Sequence, residues 1–147
     1  MKYDLDGWNL SIRTSLLPKD TNQHGTIFGG VILSYIDLAG AIEAKRFCAQ
    51  QVVTVAMKEV VFKQAVYVGD LVSFYTRIIG TGRTSITTDV MVVSFREDGD
   101  RSSVLLTDAQ VTYVAIDKNR KPEPIRVAST EIDPPAFSAE YLRTKLQ

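Results

Sequence analysis

Two residue types that carry much enzyme chemistry are almost missing. The chain of 147 residues holds one histidine, His24, and one cysteine, Cys48. A single histidine excludes any site built from several imidazoles of one chain, and no Cys/His group has metal-site spacing. A single cysteine excludes an internal disulfide and suits a reducing compartment. Neither sign of charge is in excess, since Lys plus Arg and Asp plus Glu number 17 each. That balance argues against a general nucleic-acid or membrane surface. No GxGxxG and no P-loop is present, and no repeat or low-complexity block. Long hydrophobic runs are lacking too. The most apolar stretch, Ile27 to Ile42, is interrupted by Asp37 and falls short of the ~20 residues that cross a bilayer. The first residues, MKYDLDGWNLS, contain two acidic side chains and no apolar block, so they do not read as a signal peptide. The sequon Asn9-Leu10-Ser11 then has no secretory context. The expectation is a cytoplasmic protein of one domain, with enough length for a sizeable core.

What is present is organised around Thr21 to Cys48. From Gly30 onward the residues predict one long helix, apolar on nearly every side, ending near Cys48-Ala49-Gln50. A helix apolar all round is expected to be buried. Asp37 sits in its middle, and a buried carboxylate needs a partner or a task. Pro18, Asp20 and Asn22 mark a loop before the helix. Gly25, Gly29 and Gly30 follow, permitting tight turns and leaving the first helical N–H groups open to an anion or a polarised carbonyl.

Strands are expected at Trp8–Leu17, Val52–Phe62, Leu71–Ile79, Ser85–Phe95 and Ser103–Ile116. The turns between the last four are Val68-Gly69-Asp70, Gly80-Thr81-Gly82-Arg83 and Glu97-Asp98-Gly99-Asp100. Short connections imply an antiparallel sheet, with the last four strands as a meander curling round the single helix. The class is α+β. Val53 and Val55 beside Ala56 and Val60 put apolar groups on both faces, which predicts cover from a second subunit and hence a homo-oligomer. The domain is expected at 8–127. Pro122, Pro124, Pro134 and Pro135 mark irregular chain at the C-terminal end, and 128–147 is expected as a tail, with a short helix within Ala136–Gln147.

Asp20-Thr21-Asn22, Gly25, Ile27-Phe28-Gly29-Gly30, Ser34, Asp37 and Ala39-Gly40 together resemble the hotdog-fold acyl-CoA thioesterases. They are most similar to bacterial acyl-CoA hydrolases related to the brain-type cytosolic acyl-CoA hydrolase. Val52-Val53-Thr54-Val55-Ala56, Val68-Gly69-Asp70, Gly82-Arg83-Thr84-Ser85 and Thr107-Asp108-Ala109 follow in the family's order. The resemblance covers roughly Ser11 to Val127, and the ordered set is far more specific than any piece. One departure is Val31, where many relatives carry Trp; it bears on the size of the acyl pocket rather than on the reaction.

The resemblance implies a hotdog fold and hydrolysis of acyl-CoA to fatty acid and CoA. No cofactor or metal is implied, CoA being part of substrate and product. Asp37 is the implied catalytic carboxylate and Asn22 its polar partner, contributed by opposite subunits of a dimer. The dimers are expected to assemble further, as a dimer or trimer of dimers. The N–H of Gly30 is the candidate oxyanion donor, and Gly29 and Thr54 are candidate substrate contacts.

The residues themselves leave several roles open. Asp37 can serve as general base or as nucleophile. It lies about 10 Å of helical rise beyond Gly30, a long reach for one helix to serve one atom. Asn22 is also an ordinary turn former, His24 an ordinary loop residue, and Ser34 can bond the carboxylate or its own backbone. Gly82, Arg83, Thr84 and Ser85 suit a phosphate or pantetheine amides, or form a plain hairpin turn. Lys118 and Arg120, beside Lys121, offer a second basic cluster for nucleotide phosphates. A non-catalytic acyl-CoA sensor on the same fold is the alternative reading.

Overall fold

The computed structural model describes residues 5–97, 99, 101–129, 132–133 and 139–145. Five strands and one long helix carry the fold. In chain order they are β1 (Asn9–Ser15), α1 (Gly29–Phe47), β2 (Gln51–Lys58), β3 (Leu71–Thr81), β4 (Ser85–Arg96) and β5 (Ser102–Ile116). A short helix, α2 (Ala139–Lys145), falls inside the stretch where one was expected. The rest of that stretch, residues 136–138 and 146–147, lies outside the described residues, as do Pro134, Pro135, Asp98 and Asp100. All strand pairs are antiparallel, in the order β1-β3-β4-β5-β2.

The expected four-strand meander needs correction. β3, β4 and β5 do form one, but β2 does not pair with β3. It lies on the far edge, with Gln51 opposite Ile116 and Lys58 opposite Gln110 of β5. The inference from short connections fails here because the link is not short. β2 stops at Lys58, well before Phe62, where Glu59 adopts φ 60°. A non-glycine residue in that region leaves the extended path of a strand. Residues 59–70 then recross the molecule and deliver the chain to β3, beside β1.

The sheet bends round α1. Register shifts between Leu10 and Ile12, Thr54 and Ala56, Ile78 and Gly80, and Val92 and Val93 each mark a bulge, which adds bend and twist. The inner face supplies Val72 and Phe74, Ile86, Val90 and Val92, then Val111 and Tyr113. They alternate with outward residues as the strand period demands. Against them α1 buries Ile32, Ile36, Ala39, Gly40, Glu43 and Ala44.

The helix is not buried all round, contrary to the expectation from its composition. Leu38 is 53% exposed, and Ser34 is also on the open side. One apolar flank of α1 thus faces outward in the isolated chain. Where the helix meets the sheet, Gly40 sets the spacing. A Cβ there would overlap the Tyr113 hydroxyl and stand 2.9 Å from Thr88 Oγ1.

A polar network fixes the C-terminal half of α1. Buried Glu43 accepts hydrogen bonds from Asn9 Nδ2, from Thr76 Oγ1 at 2.8 Å and from Arg46 Nη1 at 2.7 Å. Arg46 also donates to Ser11 and pairs with Asp133 of the tail at 2.7 Å. The tail is further tied by Ala128 N–H to Phe47 O and by the Cys48–Val127 bridge. Among the described residues, no helix is long and apolar enough to cross a membrane.

Candidate active site

Asp37 stands on the open side of α1, half-buried rather than sealed in apolar surroundings. Its partners come from two strands of the sheet. Thr54 of β2 donates to Asp37 Oδ1 at 2.6 Å. Tyr113 of β5 brings its hydroxyl to the Asp37 carbonyl oxygen at 2.6 Å, with Oδ1 at 3.3 Å. The register explains the convergence: Thr54 lies opposite Tyr113, and Tyr113 opposite Ile86. One rung of the sheet therefore delivers both hydroxyls to one helical turn. Asp37 Oδ2 has no hydrogen-bond partner among the described residues. Burial raises the Tyr113 hydroxyl well above the usual tyrosine range, and the negative charge and hydrogen bonding of Asp37 add to this. A backbone N–H from Ala41 works the other way. Tyr113 therefore keeps its proton and acts as a donor.

The helix N-terminus forms a second group of features. Phe28 precedes the helix in extended conformation, and α1 runs unbroken from Gly29 to Phe47. Val31 N–H bonds Phe28 O, while the N–H groups of Gly29 and Gly30 have no partner among the described residues. A Cβ on Gly30 would come within 2.6 Å of the Phe28 ring, and one on Gly29 within 3.6 Å of the Phe62 ring. Beside Gly29 is a slot of about 180 Å³ lined by Ile27, Ile32, Phe62, Gln64, Ala65 and Val66. Val31 does not line this slot. Val31 packs against the core instead.

The remaining candidates are placed as follows. Asn22 closes its own turn: Oδ1 accepts from the His24 and Thr26 N–H groups, and Nδ2 donates to Thr26 Oγ1. Within one protomer it makes no hydrogen bond to Asp37. Ser34 bonds its own helix, donating to Gly30 O at 2.9 Å. Gly82, Arg83, Thr84 and Ser85 form the β3–β4 turn, closed by Gly82 N–H to Ser85 O. Their carbonyls at Arg83 and Thr84 receive N–H groups from Ile125 and Ala115. The Arg83 side chain is exposed and has no ion pair among the described residues. Lys118 and Arg120 lie on the exposed turn after β5, which Asp117 Oδ1 caps through the Asn119 and Lys121 N–H groups.

The chain thus joins Asp37 to Thr54 and groups Gly29 with Gly30. It does not join Asn22 to Asp37. Tyr113 was missed by sequence reasoning. Its only signal was an inward position in the last strand, and its pairing with Thr54 depends on β2 lying at the far edge. Among the described residues no group of three or more His, Cys, Asp or Glu side chains is placed to hold a metal ion.

The Thioesterase superfamily profile matches residues 24–102. The acyl-CoA thioester hydrolase YciA of Salmonella typhimurium is 40% identical over 122 residues, covering 80% of this chain and 90% of that protein. Among solved structures, a hexameric hotdog fold thioesterase of Campylobacter jejuni superposes with a TM-score of 0.77 at 44% identity, covering 80% of this chain and 90% of that one. A hexameric thioesterase of Yersinia pestis gives 0.76 at 40% identity, covering 80% and 95%.

Proposed function

Because this chain belongs to the thioesterase superfamily and has the hotdog fold, we propose that it hydrolyses the thioester of acyl-CoA to a free fatty acid and CoA. The observation that carries the reading is the Asp37 carboxylate. It stands half-exposed on an apolar flank, with Oδ1 held by Thr54 and Oδ2 left open. In the proposed reaction Oδ2 takes a proton from water as the water oxygen bonds to the thioester carbon. The carbonyl oxygen gains negative charge facing the open N–H of Gly30, with Gly29 beside it. The C–S bond then breaks as the carbonyl re-forms, and protonated Asp37 returns its proton to the departing CoA sulfur, which regenerates the carboxylate. Direct attack by Asp37 to give an anhydride is the competing route.

Gly30 and Asp37 are separated by about 10 Å of unbroken helical rise. We therefore assign the two roles on one substrate to two protomers: the N–H groups and Asn22 from one, Asp37 with Thr54 from its partner. Exposed Leu38 and Val55, beside Asp37 and Thr54, support a second copy at this face. The hexameric state named for the relatives supports six chains. The domain over 8–127 forms this unit, with 128–147 as its tail. Arg83 with Gly82, Thr84 and Ser85, and Lys118 with Arg120, are assigned to CoA phosphates and pantetheine amides. The buried thiol of Cys48 supports a cytoplasmic location.

Thiol release from acyl-CoA tests the reading. Wild type turns over; Asp37→Ala does not. Mixing Asn22→Ala with Asp37→Ala chains restores part of the activity, because mixed assemblies regain sites carrying both side chains. Turnover that survives in Asp37→Ala removes the carboxylate from the mechanism. Activity that stays absent on mixing removes the two-chain site.

A further inference from the structure

We infer that the slot beside Gly29 holds the acyl chain and that Phe62 sets the length it accepts, an inference that rests on the proposed hydrolysis. The slot lies at the first turn of α1, next to the Gly29 and Gly30 N–H groups, unpartnered among the described residues, to which the thioester carbonyl is assigned. Its lining is apolar apart from Gln64. An acyl tail is the part of the substrate that such walls favour, since burying each methylene is worth roughly 0.8 kcal/mol.

Its size limits the tail. The volume of about 180 Å³ is close to the ~150 Å³ of an apolar cavity that holds benzene, a six-carbon group. A chain near six carbons fills the slot as it stands.

The walls differ in freedom. Ile27, Ile32 and Val66 are 6%, 1% and 3% exposed and belong to the closed core. Val66 is pinned by Ile27 N–H to its carbonyl at 2.8 Å. Ala65 is pinned by the Arg96 guanidinium, which donates to its carbonyl while also holding Asp70. Phe62 is different. It is 43% exposed, lies past the end of β2, and presents its ring edge across Gly29. It is the wall that can be cut back without opening the core. Position 31, the departure from relatives noted in the sequence, has no part in this lining.

The test is kcat/KM across straight-chain acyl-CoAs from two to sixteen carbons for wild type, Phe62→Ala and Phe62→Trp. Wild type is expected to peak near six carbons. Phe62→Ala moves the peak to longer chains and raises the twelve-to-six-carbon ratio by about tenfold or more, the discrimination one methylene commands in an apolar pocket. Phe62→Trp lowers that ratio. Phe62→Leu, which keeps more of the packing, moves the peak the same way by less, and it stands in if the alanine chain melts early. Three active enzymes with superimposable profiles, or a wild-type peak at twelve carbons or beyond, overturn the assignment of Phe62 and leave hydrolysis standing. No thiol release from any acyl-CoA by wild type defeats the hydrolysis itself, and the slot's role falls with it.

Discussion

Asp37 is held by two hydroxyls with different work to do. The Thr54 bond is short and charge-assisted, and it orients the carboxylate. Thr54→Val removes that donor while keeping the shape. Hydrogen bonds to charged groups are worth about 1.5–3 kcal/mol, so a drop of roughly tenfold or more in kcat/KM is expected in the thiol-release assay. Tyr113 instead ties the sheet to the helix backbone, and its raised pKa gives a pH signature. The folded state keeps the phenol proton after the unfolded chain has lost it near pH 10. The stabilisation is therefore complete below about pH 10 and declines above it. Denaturant titrations from pH 8 to 11 should show wild type losing stability more steeply at the alkaline end than Tyr113→Phe. Gly40 is the third residue of this contact. A methyl there meets the Tyr113 hydroxyl and Thr88 Oγ1, both on buried side chains. Gly40→Ala should lower unfolding free energy by about 1–3 kcal/mol, the usual range for overpacking.

At the scale of elements, α1 is positioned by unlike means at its two ends. Its N-terminal half rests on apolar packing of Ile32 and Ile36. Its C-terminal half is held by charge, with Arg46 joining buried Glu43 to exposed Asp133. Burial works against the Arg46 charge, but the hydrogen bonds of Asp133 and Glu43 more than offset it. The two ion pairs should respond differently to mutation. Arg46→Ala leaves Glu43 buried with Asn9 and Thr76 as its remaining partners among the described residues. Removing one member of a buried pair costs about 3–5 kcal/mol, and these surviving bonds place the expected loss near the lower bound. Asp133→Ala breaks a pair whose carboxylate is 59% exposed, and exposed pairs contribute about 0–1 kcal/mol. Urea titration of the two variants checks the contrast. Equal losses would mean that the tail contact, not burial of Glu43, anchors this end.

For the whole molecule, the question is how the apolar flank of α1 is covered. Leu38 and Val55, which follow Asp37 and Thr54 in sequence, are 53% and 56% exposed, and β2 is a sheet edge. Exposed edges and apolar patches of this kind are normally covered by a partner. Sedimentation of wild type should show an assembly of six chains. Val55→Glu should shift it to smaller species and abolish thiol release, while circular dichroism of the chain remains native-like. A monomeric wild type that is fully active would remove the need for the second protomer.

The sequence by itself determined the periodic features. These are the long apolar helix, the alternating strands, the polar breaks between them, and the carboxylate of Asp37 in the apolar middle of the helix. These follow from side-chain spacing and turn chemistry, which are local properties. The strand order was not legible, because β2 stops at Lys58, before Glu59, whose backbone conformation composition does not encode. Everything that depends on that order was hidden with it: Tyr113 opposite Thr54, both hydroxyls on Asp37, and Phe62 beyond the strand as a slot wall. Such contacts join residues far apart in the chain, and only the packing of sheet against helix decided which of them meet.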